Sequence, residues 1–308
     1  MRLRLASPAD HPAIAALLRQ HEASSLFPLV NLISGSPQKL WCAQDEPGLA
    51  GGLAGVLALN PNGFLMPQWP GLDAAAARRA LAGQSVSAIV GPSDQVEALL
   101  AALGIGPERL RHDGREPLCQ LDLTGLILPQ AASTRLEPLR EGDRDIVTRW
   151  RVAFNAETFG QAEAGAREQA QGDVDRWLKQ GSHRVLWRGD QPVALTGLNA
   201  RLPDVVQVGG VFVPPSLRSQ GLARRAVAFH LAEARNGGAS RAVLFAASAA
   251  ALRAYQAIGF TQIGWMGLAL LHKTLVPAGA CCDLKSPTPC AKAKRSLPPA
   301  WLCLSACG

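Results

Sequence analysis

The stretch from Val211 to Val227, VFVPPSLRSQGLARRAV, limits the local fold more tightly than any other part of the chain. An apolar, strand-like run ends at Pro214 and Pro215, which cannot donate ladder hydrogen bonds. An Ala- and Arg-rich helical pattern begins just after Gly221. The stretch therefore predicts a strand, a short connection and a helix whose first turn includes residues 218–223.

The start of that helix has the properties of a phosphate site. Backbone N–H groups in a first helical turn have no intrahelical partners, and the positive end of the helix dipole lies there. Gly221 has no Cβ, so a phosphate can approach its backbone closely, and Arg218 adds a cation. We therefore predict that a pyrophosphate binds Arg218, Ser219, Gln220, Gly221, Leu222 and Ala223.

The wider pattern predicts an α/β fold with a mixed sheet, because helices alternate with strands after an antiparallel start. The two halves open alike, with a strand, a polar turn and a helix at Leu3 and again at Arg135. This similarity predicts a duplicated unit. We expect one domain over residues 1–128, a second over 133–273, and a disordered tail over 274–308 that lacks any periodicity.

Composition excludes several classes of protein. A length of 308 residues suits two domains, and 48% hydrophobic with 18% charged residues is a globular composition. We see no signal peptide and no stretch of about 18 apolar residues, so we expect a cytoplasmic protein without a membrane partner. The net charge of +7 includes +3 from the last thirty residues (four Lys or Arg minus Asp283), and no basic stripe predicts a nucleic-acid partner.

Metal and other common catalytic motifs are missing from the sequence. Five of the seven cysteines lie in the tail, which predicts neither a disulfide framework nor a metal site. There is no dinucleotide fingerprint, no P-loop, no H-E-x-x-H and no G-x-S-x-G. These absences disfavour nucleotide hydrolysis, zinc-peptidase and serine-hydrolase chemistry.

Two motifs carry a resemblance to a known family. The order R-x-x-G-x-A between a strand and a helix, filled by Arg218, Gly221 and Ala223, resembles the acetyl-CoA-binding signature of the GCN5-related N-acetyltransferase (GNAT) superfamily. The stretch SAAALRAYQAIGF from Ser248 resembles the later family motif N-x-x-A-x-x-L-Y-x-x-x-G-F, with Ser248 in place of the usual Asn. The likeness covers about residues 135–272. It looks most like the FR47-like branch, in which a degenerate GNAT-like half precedes the catalytic half.

The resemblance implies acetyl-CoA as the co-substrate and a place for each part of it. Val211, Phe212 and Val213 would lie beside the pantetheine, and the N–H of Val211 or Phe212 would face the developing oxyanion. The hydroxyl of Ser248 would bond to the backbone or the cofactor. Tyr255, the only tyrosine, would be the acid that protonates the thiolate, since a phenol of pKa about 10 is protonated at neutral pH. The alternative is that Tyr255 only packs.

The base that removes the ammonium proton stays open. Glu157, near the end of the first helix of the second half, is our candidate, with Glu163, Glu168, Asp173 and His183 as rivals. A water chain is a further alternative. Several other residues keep alternative interpretations. Trp150, Trp177 and Trp187 belong to the core or to an acceptor pocket, and Arg224 and Arg225 are solvated or bind phosphate. His230 is interpreted as a packed histidine.

The predicted function is acetyl transfer from acetyl-CoA to a primary amine of a small molecule, amino acid or peptide. Two alternatives remain. One is a catalytically inactive module that binds acyl-CoA as a sensor or interaction partner, and the other is a transferase of a longer acyl group. The sequence makes no prediction of the oligomeric state.

Overall fold

The computed structural model describes residues 2–44, 52–131, 133–159 and 163–277. The chain divides into two compact units. The first holds the described residues up to Asp113 together with those from Gly267 onward, and the second holds Gly114–Met266. The sequence-based boundary lay after residue 128, so the segment from Gly114 belongs to a different unit from the one expected. Most of the predicted tail lies outside the described residues.

The first unit begins with an antiparallel run of strands and adds a parallel one. β1 pairs with β2, β2 with β3 and β3 with β4, all antiparallel, and β4 pairs with β5 in parallel. The end of β12 lies next to β5. The strands are β1 (Arg2–Leu5), β2 (Lys39–Gln44), β3 (Leu53–Leu59), β4 (Phe64–Gln68), β5 (Val86–Pro92) and the last part of β12 (Thr261–Leu275). The helices are α1 (His11–Gln20), α2 (Glu22–Ile33), α3 (Ala74–Leu81) and α4 (Ser93–Leu103).

The second unit contains the motifs found in the sequence. Its strands follow the order β12-β6-β11-β10-β9-β8-β7, in which β10 and β11 are parallel. The predicted hairpin at Gly189-Asp190 joins β8 and β9. The strands are β6 (Leu110–Asp122), β7 (Thr134–Pro138), β8 (His183–Arg188), β9 (Gln191–Arg201), β10 (Val205–Phe212) and β11 (Arg241–Phe245). The helices are α5 (Arg144–Phe159), α6 (Glu163–Gln180), α7 (Leu222–Asn236) and α8 (Ala249–Gln256).

The sheet of the second unit has two differently used faces. Successive strand residues point to opposite faces, so one face takes every second side chain. Val208 and Leu244 join a buried cluster with residues of α7 and with Tyr255 of α8, and we call this side the Tyr255 face. Phe212 points the other way, with its ring 6.0 Å from that of Trp150 on α5, and we call this side the Trp150 face.

The elements confirm the mixed α/β class expected from the sequence. Strand pairing is both parallel and antiparallel, and helices alternate with strands in the second unit. Among the helices in the described part of the chain, none combines the length and the apolar character that crossing a bilayer requires.

Gly197 provides a test of the packing in the second unit. Any Cβ at this position in β9 would overlap the imidazole of His183, which is stacked on Trp177 with 3.9 Å between ring centroids. We expect Gly197→Ala to destabilise the protein by about 1–3 kcal/mol, the usual cost of overpacking. Gly172 in α6 has open space around it. The control Gly172→Ala should leave stability unchanged or raise it by up to about 1 kcal/mol in denaturant unfolding.

Candidate active site

The end of β10 separates from its parallel neighbour. The register between β10 and β11 ends at Gln207↔Val243, although β10 continues to Phe212 and β11 to Phe245. On its other side β10 stays paired with β9 as far as Phe212↔Leu195. The last residues of β10 therefore have one edge that carries no strand pairing among the described strands. An extended group can form strand-like hydrogen bonds at such an edge.

A bulge lies within this separated segment. Between Gly209↔Gly197 and Phe212↔Leu195, β10 advances by one residue more than β9. Gly210 has φ +63°, a conformation that glycine adopts without a Cβ penalty. The bulge changes the direction of the N–H groups near Val211 and Phe212. The N–H of Val211 or that of Phe212 is the oxyanion donor predicted from the sequence.

The R-x-x-G-x-A loop joins the end of β10 to α7 with two left-handed residues. Ser219 has φ +63° and Gly221 φ +70°, and Gly221 is the residue just before the first turn of α7. A left-handed non-glycine residue such as Ser219 is uncommon and often marks a functional loop. The first of the helix's own hydrogen bonds runs from the Arg225 N–H to the Gly221 carbonyl. The N–H groups before it are therefore available to an anion.

Arginines surround this helix start. The Arg188 guanidinium donates to Gln220 Oε1 at 3.0 Å, and the side chain of Arg224 is the nearest group to a Cβ built on Gly221. Burial, and then the charges of Arg224 and Arg188, lower the pKa of Arg225 below its ordinary value. Arg225 therefore lies within the electrostatic reach of Arg224 and Arg188. A polyanion bound at the loop would relieve their repulsion.

Arg218 and Glu157, predicted separately as phosphate-binding residue and base, are in contact. The Arg218 guanidinium donates to Glu157 Oε2 at 2.6 Å and to the Val213 carbonyl at 3.1 Å. Glu157 belongs to the last turn of α5, so the ion pair connects that helix to the R-x-x-G-x-A loop. The Glu157 side chain is 37% exposed, which makes the ion pair easy for solvent or another anion to replace.

Ser248 and Tyr255 lie at the two ends of α8. Ser248 is the N-cap, and its hydroxyl accepts a hydrogen bond from the Ala251 N–H at 3.1 Å. The hydroxyl that replaces the family's usual Asn thus bonds to the backbone, one of the two roles expected for it. Tyr255 is fully buried in the cluster on the Tyr255 face, edge-on to Phe260. Val211 belongs to the same cluster.

The four rival bases differ in their surroundings: two are buried, one is exposed, and the side chain of the fourth is not described. Asp173 is buried in an ion pair with Arg151 at 2.7 Å and also binds Arg176. His183 is buried, and burial is the main cause that lowers its pKa well below the usual range. Glu168 is exposed on α6, and the side chain of Glu163 is not described.

A narrow cavity lies on the Trp150 face beside the bulge. It is too narrow to admit a water molecule, and its lining includes Gly210, Trp150 and Trp177. Trp150 and Trp177 therefore line a cavity next to β10, whereas Trp187 does not contribute to it. Arg151 also lines this cavity, with its guanidinium carbon 5.1 Å from the ring centre of Phe154. A groove of about 660 Å³ between α5 and α6 contains none of the predicted site residues.

His230 lies in the middle of α7 and is almost fully buried, as the packed reading predicted. Burial is the main cause that lowers its pKa to about 3, so this imidazole is neutral at ordinary pH. Arg225 donates to the carbonyl of Gln130. Its neighbour Arg224 is the more exposed of the two arginines.

A family model matches a large part of the second unit. Residues 147–260 match the model described as the acetyltransferase (GNAT) family. This part of the chain is a GNAT domain. The matched segment runs from α5 to the end of the Tyr255 motif and includes both motifs that the sequence analysis had linked to the family. The domain is therefore of the acyltransferase class.

Solved structures with this fold cover both units of the chain. A Drosophila protein is 13% identical over 87% of this chain and 98% of its own, with a TM-score of 0.56. A tandem GNAT protein from the clavulanic acid biosynthesis pathway is 12% identical over 92% of this chain and 100% of its own, with a TM-score of 0.52. A GCN5-related N-acetyltransferase from Kribbella flavida is 18% identical over 86% of this chain and 96% of its own, with a TM-score of 0.50.

At these identities the likeness shows the fold, and it confirms two tandem GNAT-like units. No curated protein matches the chain. The FR47-like branch stays a prediction, because none of these comparisons tests it.

Sequence reasoning missed one titratable residue of the GNAT domain unit. Glu116 in β6 is only 6% exposed, and within the described part of the chain its Oε2 atom has no hydrogen-bond partner. Burial raises the pKa of this carboxyl to about 8. No sequence pattern pointed to it, because Glu116 lies before the expected domain boundary and in no family motif.

The raised pKa of Glu116 predicts how stability changes with pH. Between its ordinary pKa of 4.5 and about 8, folded Glu116 keeps a proton that the unfolded chain has lost. Unfolding is therefore favoured as pH rises through this range, by up to about 1.4 kcal/mol per pH unit. Glu116→Gln should remove this loss, so its stability relative to the wild type should grow from pH 5 to about 8.

Denaturant unfolding at a series of pH values measures this difference. Glu97→Gln, at an exposed position of α4, serves as the control and should follow the wild-type curve. A Glu116→Gln curve parallel to that of the wild type would show that the Glu116 carboxyl titrates normally.

Proposed function

We propose that the GNAT domain transfers an acetyl group from acetyl-CoA to a primary amine of a small molecule, amino acid or peptide. The observation that carries the proposal is the left-handed Gly221 at the start of α7, surrounded by arginines. A pyrophosphate there would accept hydrogen bonds from the first N–H groups of the helix. A Cβ on Gly221 would meet only the end of the Arg224 side chain, so the loop backbone is open to a ligand.

The free edge of β10 supports the same proposal. A pantetheine that leaves the phosphate loop would pass along the segment that has parted from β11, beside Val211, Phe212 and Val213. The N–H groups at the bulge are then suited to an oxyanion, because backbone donors fixed by a strand need no rearrangement. We place the acceptor on the Trp150 face, opposite the face that buries Tyr255.

The first unit carries no R-x-x-G-x-A sequence followed by a Tyr motif. We therefore propose residues 133–273 as the catalytic part and the N-terminal half as a non-catalytic part. The segment from Gly114, which groups with the GNAT domain unit, is an addition to that catalytic part.

Calorimetry with acetyl-CoA tests the cofactor assignment. We expect Gly221→Glu to weaken binding at least tenfold, because a carboxylate at the helix start repels a pyrophosphate and fills its approach. The control is Gly181→Glu, since Gly181 also has a positive φ (+61°) and open space around it. The control should bind like the wild type, and equal affinity of all three proteins would refute the assignment.

Substitution of Tyr255 tests the proposed acid. Tyr255→Phe removes only the hydroxyl, so acetyl-CoA affinity should hardly change while kcat for an amine acceptor falls by about 10²–10⁴-fold. Steady-state release of free thiol measures kcat, and calorimetry measures affinity.

The full burial of Tyr255 also favours a second candidate, an acyl-CoA-binding module without catalysis. That candidate predicts binding of acetyl-CoA by the wild type without turnover of any amine, and no effect of Tyr255→Phe.

A further inference from the structure

We propose that the Glu116 carboxylate is the base that accepts the proton of the acceptor ammonium group. This inference rests on the proposed function and adds a catalytic residue to it. The proposal concerns only residues of the GNAT domain unit, since β6 from Gly114 onward belongs to that unit.

Pairing with β11 places Glu116 at the level where the sheet opens. β6 and β11 are antiparallel, with Leu118 opposite Phe245, and the Ala246 N–H donates to the Pro117 carbonyl at 3.0 Å. Glu116 thus lies beside the residues that directly follow β11. The pairing of β11 with β10 has already ended at Val243, so this is the level of the separated segment of β10.

Strand alternation places Glu116 on the acceptor side of the sheet. Leu244 and Ala246 point into the cluster on the Tyr255 face, so Phe245 between them points to the Trp150 face. Leu118 lies opposite Phe245 and shares its face, and Glu116, two residues earlier, follows the same alternation. Glu116 and Tyr255 therefore belong to opposite faces of the sheet.

The environment of Glu116 is unusual for a structural carboxylate. Buried carboxyl groups are normally paired or hydrogen-bonded, yet Oε2 of Glu116 has no partner among the described residues. Its neighbour Arg115 stacks instead on Trp265, 4.7 Å from the ring centre. Burial is the only cause of the raised pKa of Glu116, and no charged group contributes to it. Groups of this kind are concentrated at functional sites, and a pKa near ambient pH suits proton transfer.

The two faces separate the two proton transfers that the reaction needs. The ammonium gives one proton to Glu116, directly or through one water, and the free amine then attacks the thioester carbon. The C–N bond forms and the C–S bond breaks, and the sulfur leaves as thiolate. Tyr255 gives its proton to the sulfur and is reprotonated by the second proton of the nitrogen. The products are the amide and the free thiol, and Glu116 releases its proton to solvent.

The other candidate bases are less suited to this role. Glu157 is held by Arg218 at the phosphate loop, and Asp173 is held between Arg151 and Arg176. The buried imidazole of His183 has a pKa far below the usual range, which makes it a weak proton acceptor.

The experiment compares acceptors that differ in protonation. Wild type, Glu116→Gln and the control Glu97→Gln are assayed for thiol release at saturating acetyl-CoA from pH 6 to 9. One set of acceptors is a panel of primary alkylamines, amino-acid amides and short peptides, which are ammonium ions at neutral pH. The other acceptor is hydroxylamine, which is largely unprotonated there.

We expect Glu116→Gln to lower kcat/KM for the ammonium acceptors by about 10²–10⁴-fold and hydroxylamine turnover by less than about threefold. The wild-type rise of kcat/KM with pH, centred near the Glu116 pKa of about 8, should vanish in the variant, because a base acts only when ionised. Acetyl-CoA affinity should be unchanged, and the variant should remain folded at pH 6. Glu116→Asp, which keeps a carboxylate, should recover part of the activity, and it replaces Glu116→Gln if that variant does not fold.

The outcomes separate the two proposals. If wild type turns over ammonium acceptors and Glu116→Gln matches it within about threefold with the same pH profile, Glu116 is not the base and the proposed function stands. Equal losses with hydroxylamine and with ammonium acceptors would also overturn the base assignment, because they indicate general damage to the site. If wild type binds acetyl-CoA and turns over no amine at all, both proposals fail.

Discussion

The separation of β10 from β11 after Gln207↔Val243 is the feature on which the candidate site depends. A parallel pair that continued to the end of both strands would bury its backbone groups in a ladder, and nothing could enter between them. Once the strands part, β10 keeps only its pairing with β9, and the bulge at Gly210 changes the direction of the donors beside it. The R-x-x-G-x-A loop then follows this segment and leads into α7. The free edge of β10, the bulge and the R-x-x-G-x-A loop thus follow one another along about a dozen residues.

The same separation gives the two sides of the sheet different roles. Tyr255 is buried on one face, whereas the narrow cavity and the aromatic rings of Trp150 and Phe212 lie on the other. Acyl transfer needs a proton delivered to sulfur and a proton removed from nitrogen. Two proton carriers on opposite faces can do this without exchanging protons directly, because the opened sheet lies between them. Glu116 completes such an arrangement in the proposal made for it.

Much of this could be predicted from the sequence because the motifs are local. Gly221 is needed where a left-handed residue precedes a helix, and Gly189-Asp190 where two strands form a hairpin, so short patterns were enough. The role of Ser248 at the start of α8 was likewise one of the two expected. The domain boundary was not predictable in this way. β6 begins in the first unit and ends in the second, and a linear reading assigns a whole strand to one domain. Glu116 was missed for this reason, since its surroundings depend on strands far away in sequence.

The Arg218–Glu157 pair shows why local patterns also assign roles too narrowly. The sequence treats Arg218 as a phosphate ligand and Glu157 as a base, yet each is the other's partner when no anion is present. Without an ion-pair partner, Arg218 would add its positive charge to those of Arg188, Arg224 and Arg225. Glu157 reduces that repulsion, and because the pair is partly exposed, a pyrophosphate with two or more charges can displace the single carboxylate. The last turn of α5, which carries Glu157 and follows the cavity-lining Phe154, is thereby linked to the state of the phosphate loop. Release of Glu157 on cofactor binding would change the end of the helix that lines the acceptor side, which couples the two binding steps through one ion pair.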